Sequence, residues 1–338
     1  MATIVEIAKK ANVSPMTVSN VINKKYSRVS KETSERVQRA IEELNYVPNM
    51  SARSLVSKNS KIVVLAIPQT IVDDPNKDMA LINPFYGELI NSVEFNLRQN
   101  GYYMMLRFIS DTELFSSMVA NWNADGVIVL GAMDHQLDLN FKNTKTPLVL
   151  IDSYVSNSNY DSIKTDDELG GFMATEYLIQ HKHNRISMVA SSMSDEGVAK
   201  ARFEGFERAL STHGIKIDPT LVFEGYPTYD YGFEVGKLLS KRIGNVDAVF
   251  AYSDLVAIGL MQSLKEEGVR IPQDVSVIGF DGLFIGKISE PQLTTIKQDI
   301  YAKGSKAVEL LVDRISGKTT QRLQVVMPVS LIERASVK

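Results

Sequence analysis

Apolar residues in the first 45 positions recur at helical spacing in three short groups: Ile4, Ile7 and Ala8; Val18, Val21 and Ile22; and Val37, Ile41 and Leu44. Polar residues mark where each group starts. Thr3 with Glu6 three residues on forms a capping box, and the first helix ends by Ala11. Asn12 then takes the sharp turn, because asparagine tolerates the left-handed conformation better than most residues. Ser14 is a good N-cap and Pro15 suits the first helical position, so a second helix runs to about Asn23. A third begins after Ser30. On the second helix Met16, Thr17, Ser19 and Asn20 largely face outward, the surface an inserted helix presents to a major groove. A plain helical bundle with ordinary caps is the alternative, since short helical pairs are common.

After Lys61 the pattern changes to short apolar runs alternating with amphipathic segments. The runs are IVVLAIP from Ile62, YMMLRFI from Tyr103, GVIVL from Gly126, PLVLID from Pro147, ISMVA from Ile186, AVFAY from Ala248 and VSVIGFD from Val275. Helix-length segments lie between them, among them Gly87 to Asn100, Glu168 to Gln180, Ala199 to Ser211 and Ser253 to Glu267. Such alternation predicts an α/β fold with parallel sheets and right-handed crossovers. The strands are too many for one comfortable sheet. Two lobes are expected, with a crossing near Thr165 to Asp167 and returns near Gly282 to Pro291 and after Val326. Ligands of such sheets bind at the C-terminal strand ends, here in the cleft between lobes.

Charge separates the two regions. Residues 1 to 61 carry 11 Lys and Arg against 5 Glu and no Asp, a balance of +6, and the rest carries 26 against 35, a balance of −9. A basic head on an acidic body points to a nucleic-acid-binding module joined to something that is not one. With no cysteine in the 338 residues, neither a disulfide framework nor a thiolate zinc site is possible. The N-terminus shows no apolar signal region and no hydrophobic run reaches the roughly 18 residues needed to span a bilayer, so a soluble cytoplasmic protein without membrane association is expected. HExxH, GxxxxGK[ST] and GxGxxG are all missing, and no nucleophile has a credible base. No metal, cofactor or enzymatic activity is therefore expected. His181 and His183 read as solvated cations at a helix end.

Taken together, IVEIAKKANVS, TVSNVIN, LNYVPNMSARSL, NPFYGELI, ARFEGFERAL, VIGFDG and the final VSLIERAS resemble, in order and over nearly the full length, the lactose-repressor (LacI/GalR) family of bacterial transcription regulators. The resemblance implies a helix-turn-helix head over residues 1–47, a hinge helix and linker over 48–60, and a two-lobed periplasmic-binding-protein-like core over 61–338. It further implies a homodimer on near-palindromic double-stranded operator DNA, repression of sugar transport or catabolism genes, and control by a sugar or sugar phosphate in the cleft. The chain ends soon after Arg334 with no leucine heptad tail of the kind that builds family tetramers, which favours the dimer. A purine-responsive regulator and a transport solute-binding protein remain alternatives. A phosphocarrier protein serves some family members as co-regulator, but no residue here supports one.

DNA contact is expected from Thr3, Ser14, Pro15, Met16, Thr17, Ser19, Asn20, Asn23, Arg28, Ser30, Thr33 and Tyr46 in the head. In the hinge, Pro48 stops the third helix and Asn49 caps one too short to be stable alone in water. There Asn49, Ala52 and Arg53 are expected on DNA, with Leu55 wedged into the minor groove by resemblance; a solvated linker is the other reading. Asn20 stands where the family usually has arginine, so a preference for adenine over guanine is expected at that base pair. In the cleft the resemblance assigns the effector to Arg202 and Asp281, facing each other across it, with Phe85, Tyr86, Asp152 and Ser253 as further candidates. Arg202 and Asp281 would serve equally as a structural ion pair, Phe85 or Tyr86 as core, and Ser253 as an N-cap.

Overall fold

The computed structural model of the chain describes residues 2–46, 59–68, 83–109, 123–132, 146–154, 160–191 and 197–338. The chain forms two compact units, Met1–Ser60 and Lys61–Lys338. In the first, α1 (Ile4–Lys10), α2 (Pro15–Ile22) and α3 (Lys31–Glu43) enclose a small core of Ile7, Ala8, Val18, Val21, Val37 and Ala40. Thr3, Ser14 and Ser30 each accept a backbone N–H at the start of one of these helices, and the Thr3–Glu6 capping box closes in both directions. Asn12 sits at φ 50°, in the left-handed region the tight turn demands.

The second unit contains two six-stranded sheets. Lobe 1 holds β1 (Ile62–Pro68), α4 (Pro84–Gln99), β2 (Tyr103–Ile109), β3 (Gly126–Leu130), β4 (Leu148–Ile151) and β5 (Asp161–Thr165). The chain then passes to lobe 2, with α5 (Asp167–Gln180), β6 (Ile186–Ser191), α6 (Val198–Thr212), β7 (Val222–Gly225), α7 (Tyr229–Ser240), β8 (Ala248–Ala251), α8 (Asp254–Glu266), β9 (Ser276–Asp281), α9 (Phe284–Ile288) and β10 (Thr294–Gln298). It returns to lobe 1 as α10 (Ile300–Ile315) and β11 (Gln324–Met327), and finishes in lobe 2 as β12 (Val329–Ile332). The strand orders are β2-β1-β3-β4-β5-β11 and β7-β6-β8-β9-β10-β12, so the two sheets share one winding. All pairings are parallel except β10 with β12.

Burial explains the apolar runs. β3, β4, β8 and β9 are buried at every position, as expected of strands covered on both faces. Alternate residues feed different cores: Met188, Phe250 and Phe280 pack with α5 and α6, whereas Val189, Val249 and Val277 pack with α7 and α8.

The first and last crossings lie where the sequence indicates, at Thr165–Asp167 and Met327–Val329. The middle one does not. After β9 the chain turns at Gly282 (φ 77°), makes the short α9 and re-enters lobe 2 as β10, crossing only at Gln298–Ile300. The Gly- and Pro-containing stretch 282–291 reads as a departure from the sheet but is a loop back into it. In β10 the residues Thr294, Thr295 and Gln298 are buried polar ones, so no apolar run marks the strand.

Among the described residues no helix is long and apolar enough to cross a membrane, and no cluster of His, Cys, Asp or Glu is disposed to hold a metal ion.

Candidate functional site

On the head, Pro15 and Met16 stand exposed at the start of α2, Met16 at 70% of its free surface, while Thr17, Ser19 and Asn20 are half-buried beside them. The hydroxyls of Thr3, Ser14 and Ser30 are engaged as caps, and those of Ser14 and Ser30 also pair with Thr17 and Thr33. Asn23 Nδ2 donates to Ser19 Oγ, whereas the Asn20 side chain makes no hydrogen bond among the described residues. Arg28 is exposed at the end of a 3-10 turn, and Tyr46 packs against the head core. Asn49, Ala52, Arg53 and Leu55 lie outside the described residues.

In the body, polar side chains converge at the C-terminal ends of β4, β5, β9 and β10, where the chain crosses between lobes. Arg202 is central. It reaches Asp167 because α5 and α6 touch backbone to backbone: a Cβ on Gly171 would lie 2.1 Å from the Arg202 carbonyl oxygen, and one on Gly205 2.0 Å from that of Glu168. Arg202 Nε donates to Asp167 Oδ1 at 2.9 Å and Nη1 to the Tyr252 carbonyl at 2.6 Å. Its guanidinium lies 3.5 Å from the Phe280 ring centroid, and Nη1 is 3.7 Å from Asp281 Oδ1. Asp281 in turn accepts from Gln298 Nε2 at 2.7 Å. The Gln298 Oε1 accepts from Thr165 Oγ1 at 2.8 Å and from Lys303 Nζ at 2.6 Å, and Lys303 also donates to both oxygens of Asp152. Tyr154, from lobe 1, closes the far end by donating its hydroxyl to Asp167 Oδ2 at 3.0 Å. Phe85 and Tyr86 meet edge to face at the start of α4, with the Phe85 ring 5.6 Å from Lys303 Nζ.

Two further features mark this network. Asp152 and Asp281 both hold positive φ, 45° and 118°, a conformation that costs a non-glycine residue about 1–3 kcal/mol and gathers at functional sites. Burial also pushes the Asp281 carboxyl up to about 6 against the pull of Arg202 and the Gln298 hydrogen bond. Burial likewise raises Tyr86, helped by the charges of Asp281 and Asp152. Burial opposes the Arg202 charge, yet Asp167 and Asp281 outweigh it and hold its pKa above the ordinary value.

Five of the six expected cleft residues therefore meet in one place: Phe85, Tyr86, Asp152, Arg202 and Asp281. Arg202 and Asp281 do not face each other from opposite lobes. Both belong to lobe 2, side by side, and the main partner of Arg202 is Asp167. Ser253 caps α8 through Val256 N–H, and its neighbour Asp254 is tied inside lobe 2 by Thr295 Oγ1 and Leu283 N–H. Sequence reading missed Tyr154, Thr165, Asp167, Gln298 and Lys303; Thr165 and Asp167 lie at an expected crossing, which was the available signal for those two. His183 is also no solvated cation: it is 4% exposed, its Nδ1 lies 3.7 Å from Asp247, and burial lowers its pKa. A surface pocket opens instead at the N-terminal ends of β6 and β8, lined in part by Arg185, Lys216 and Arg242. It gathers no comparable network, since Arg185 and Arg242 are spent on the carbonyls of Gly244 and Thr220.

Comparison with known proteins matches residues 3–49 to "Bacterial regulatory proteins, lacI family" and residues 175–337 to "Periplasmic binding protein-like domain". The chain is 35% identical over 344 residues to the HTH-type transcriptional repressor PurR of Pasteurella multocida (strain Pm70), covering 100% of this chain and 99% of the relative. The chain belongs to the lacI family of bacterial regulatory proteins. Among solved structures, the lac repressor dimer bound to operator and the anti-inducer ONPF is 27% identical, with a TM-score of 0.86 and coverage of 99% of this chain and 98% of that one. A complex of the transcriptional regulator CelR with cellobiose is 32% identical, with a TM-score of 0.73, covering 99% of this chain and 100% of that one. The first unit of this LacI-family member is thus a helix-turn-helix DNA-binding domain, the second a periplasmic-binding-protein-like core, and the protein is a DNA-binding transcriptional repressor.

Proposed function

We propose that this repressor is a cytoplasmic homodimer that reads a near-palindromic operator and whose operator affinity is set by a sugar bound in the cleft of the second unit. The observation that carries the ligand reading is the strand-end network: strained Asp152 and Asp281, paired cations and the Phe85–Tyr86 aromatic pair gathered in one place. Carboxylates and an amide suit vicinal hydroxyls, and an aromatic face suits the apolar side of a sugar ring. The solved cellobiose complex of a relative points the same way. A dimer follows from specificity, because one short head makes few base contacts and two heads double them. A second reading, a purine-responsive regulator, draws on the full-length likeness to repressors named PurR.

The test is to select the operator with the full chain and titrate it with neutral sugars, cellobiose included, and with purine bases. One sugar is expected to change operator affinity by about 5-fold or more. A response to a purine base alone transfers the site to the second reading, and no response to either class removes the ligand proposal. The pH dependence has a definite sign. Asp281 loses its proton near pH 6 in the folded chain, so as an ionised acceptor it serves a hydroxyl above that pH, and ligand affinity is expected to weaken as pH falls through it. Folding has the opposite dependence for this group: its raised pKa favours the folded body at low pH, and that contribution is lost between the unfolded value of about 4 and 6.

Asn20 is proposed to read adenine. Its side chain is unengaged among the described residues, on the helix that carries exposed Met16. Asn20→Arg is expected to move preference toward guanine at one position of each half-site, by about 1–3 kcal/mol. An unchanged profile in binding-site selection removes that role.

A further inference from the structure

Lys303 is an unusual side chain for a ligand cleft. It lies on α10 with none of its surface exposed, and its ammonium has three protons and three acceptors: Asp152 Oδ1 at 2.8 Å, Asp152 Oδ2 at 2.6 Å and Gln298 Oε1 at 2.6 Å. A buried ammonium is costly unless paired and hydrogen-bonded in this way. No donor is left over for a ligand. What Lys303 does is settle the state of its neighbours. It neutralises Asp152, the only carboxylate that lobe 1 contributes to the network among the described residues. Together with Thr165 it also fixes which end of the Gln298 amide accepts, turning Nε2 toward Asp281. Phe85 covers it from α4, and Asp281, Asp167 and Arg202 are the further charges of the network.

We propose that Lys303 is the specificity-determining occupant of a cation subsite. Its ammonium stands where a positively charged group of a ligand would meet Asp152, so the cleft admits uncharged hydroxylated ligands and refuses amines. This rests on the reading that the effector binds in this cleft. Truncating the side chain vacates the subsite, and an amine of the missing length then has a carboxylate and an amide oxygen waiting for it.

The test uses the full chain and n-propylammonium chloride as the probe, with sodium chloride at equal ionic strength as the control. In Lys303→Ala, propylammonium at ten times its dissociation constant is expected to raise the thermal midpoint by about 3 °C. The wild type and Lys303→Ala/Asp152→Asn are expected not to respond. A wild type that responds as strongly, or a Lys303→Ala variant that responds no better than the double variant, overturns the proposal. Should Lys303→Ala not fold, Lys303→Met keeps the bulk and removes only the charge. Adding Asp152→Asn to it is then expected to raise the midpoint, and a double variant that melts no higher than Lys303→Met overturns the subsite. Neither measurement involves DNA or effector, so failure here falls on Lys303 alone, whereas sugars that leave operator affinity unchanged fall on the function.

Discussion

A chain beginning at Ile62 is expected to lose specific operator binding altogether while its ligand affinity stays within about 2-fold. The first 61 residues carry the whole positive balance, +6 against −9 for the remainder, and the screening of phosphates by Lys and Arg supplies most of the affinity and its salt dependence. The helix with exposed Met16 and half-buried Asn20 is proposed to supply the base contacts. Specific sites bind such proteins about 10³-fold or more tighter than random DNA, so the loss is large and easily measured. Fluorescence anisotropy with operator and scrambled duplexes at one fixed salt concentration reads it, alongside calorimetric ligand titration of the same body. Operator binding by the truncated body at the affinity of the full chain contradicts the assignment of recognition to the head.

The second large effect belongs to Arg202. Arg202→Ala strips the cation from between Asp167 and Asp281, both within lobe 2 and both buried. Removing one partner of a buried pair strands the other, which costs about 3–5 kcal/mol. The effector response is expected to vanish with it, because Asp281 loses the guanidinium beside it. Urea unfolding gives the stability loss and effector titration of operator complexes gives the response. Adding Asp167→Asn to Arg202→Ala is expected to recover part of the stability without restoring the response. Full ligand response in Arg202→Ala moves the site elsewhere, and unchanged stability shows that Asp167 finds another partner.

The head was legible almost residue by residue because its signals are local. Thr3, Ser14 and Ser30 cap the helices they precede, and Asn12 adopts the left-handed turn. The apolar runs of the body likewise announce strands, four of which, β3, β4, β8 and β9, are buried at every position. β5 and β10 announce nothing, since DSIKT and TTIKQ mix buried polar with exposed charged positions. Their identity depends on pairing with neighbours far along the chain, and so does the true position of the middle crossing. The cleft was legible only where a family motif marked it. Gln298 and Lys303 sit in no such motif, and their role arises because two crossings bring β10 and α10 against Asp152, some 150 residues earlier.

That interleaved path also fixes the order in which the molecule can become complete. The segment from Asp167 to Gln298 contains five of the six strands of lobe 2 with all its helices, so most of that lobe exists as one continuous stretch. Lobe 1 has no such independence. Its core joins Val63, Leu65, Ile128 and Val149 to Ala307, Val308 and Leu311 of α10, residues that leave the ribosome well over a hundred positions later. Until they arrive, that face of the first sheet made has only Leu89, Val93 and Leu97 of α4 among the described helices to cover it, although five strands of lobe 2 already exist. A chain stopped near residue 300 therefore damages the lobe at the other end of its sequence, exposing strands that were synthesised long before the break.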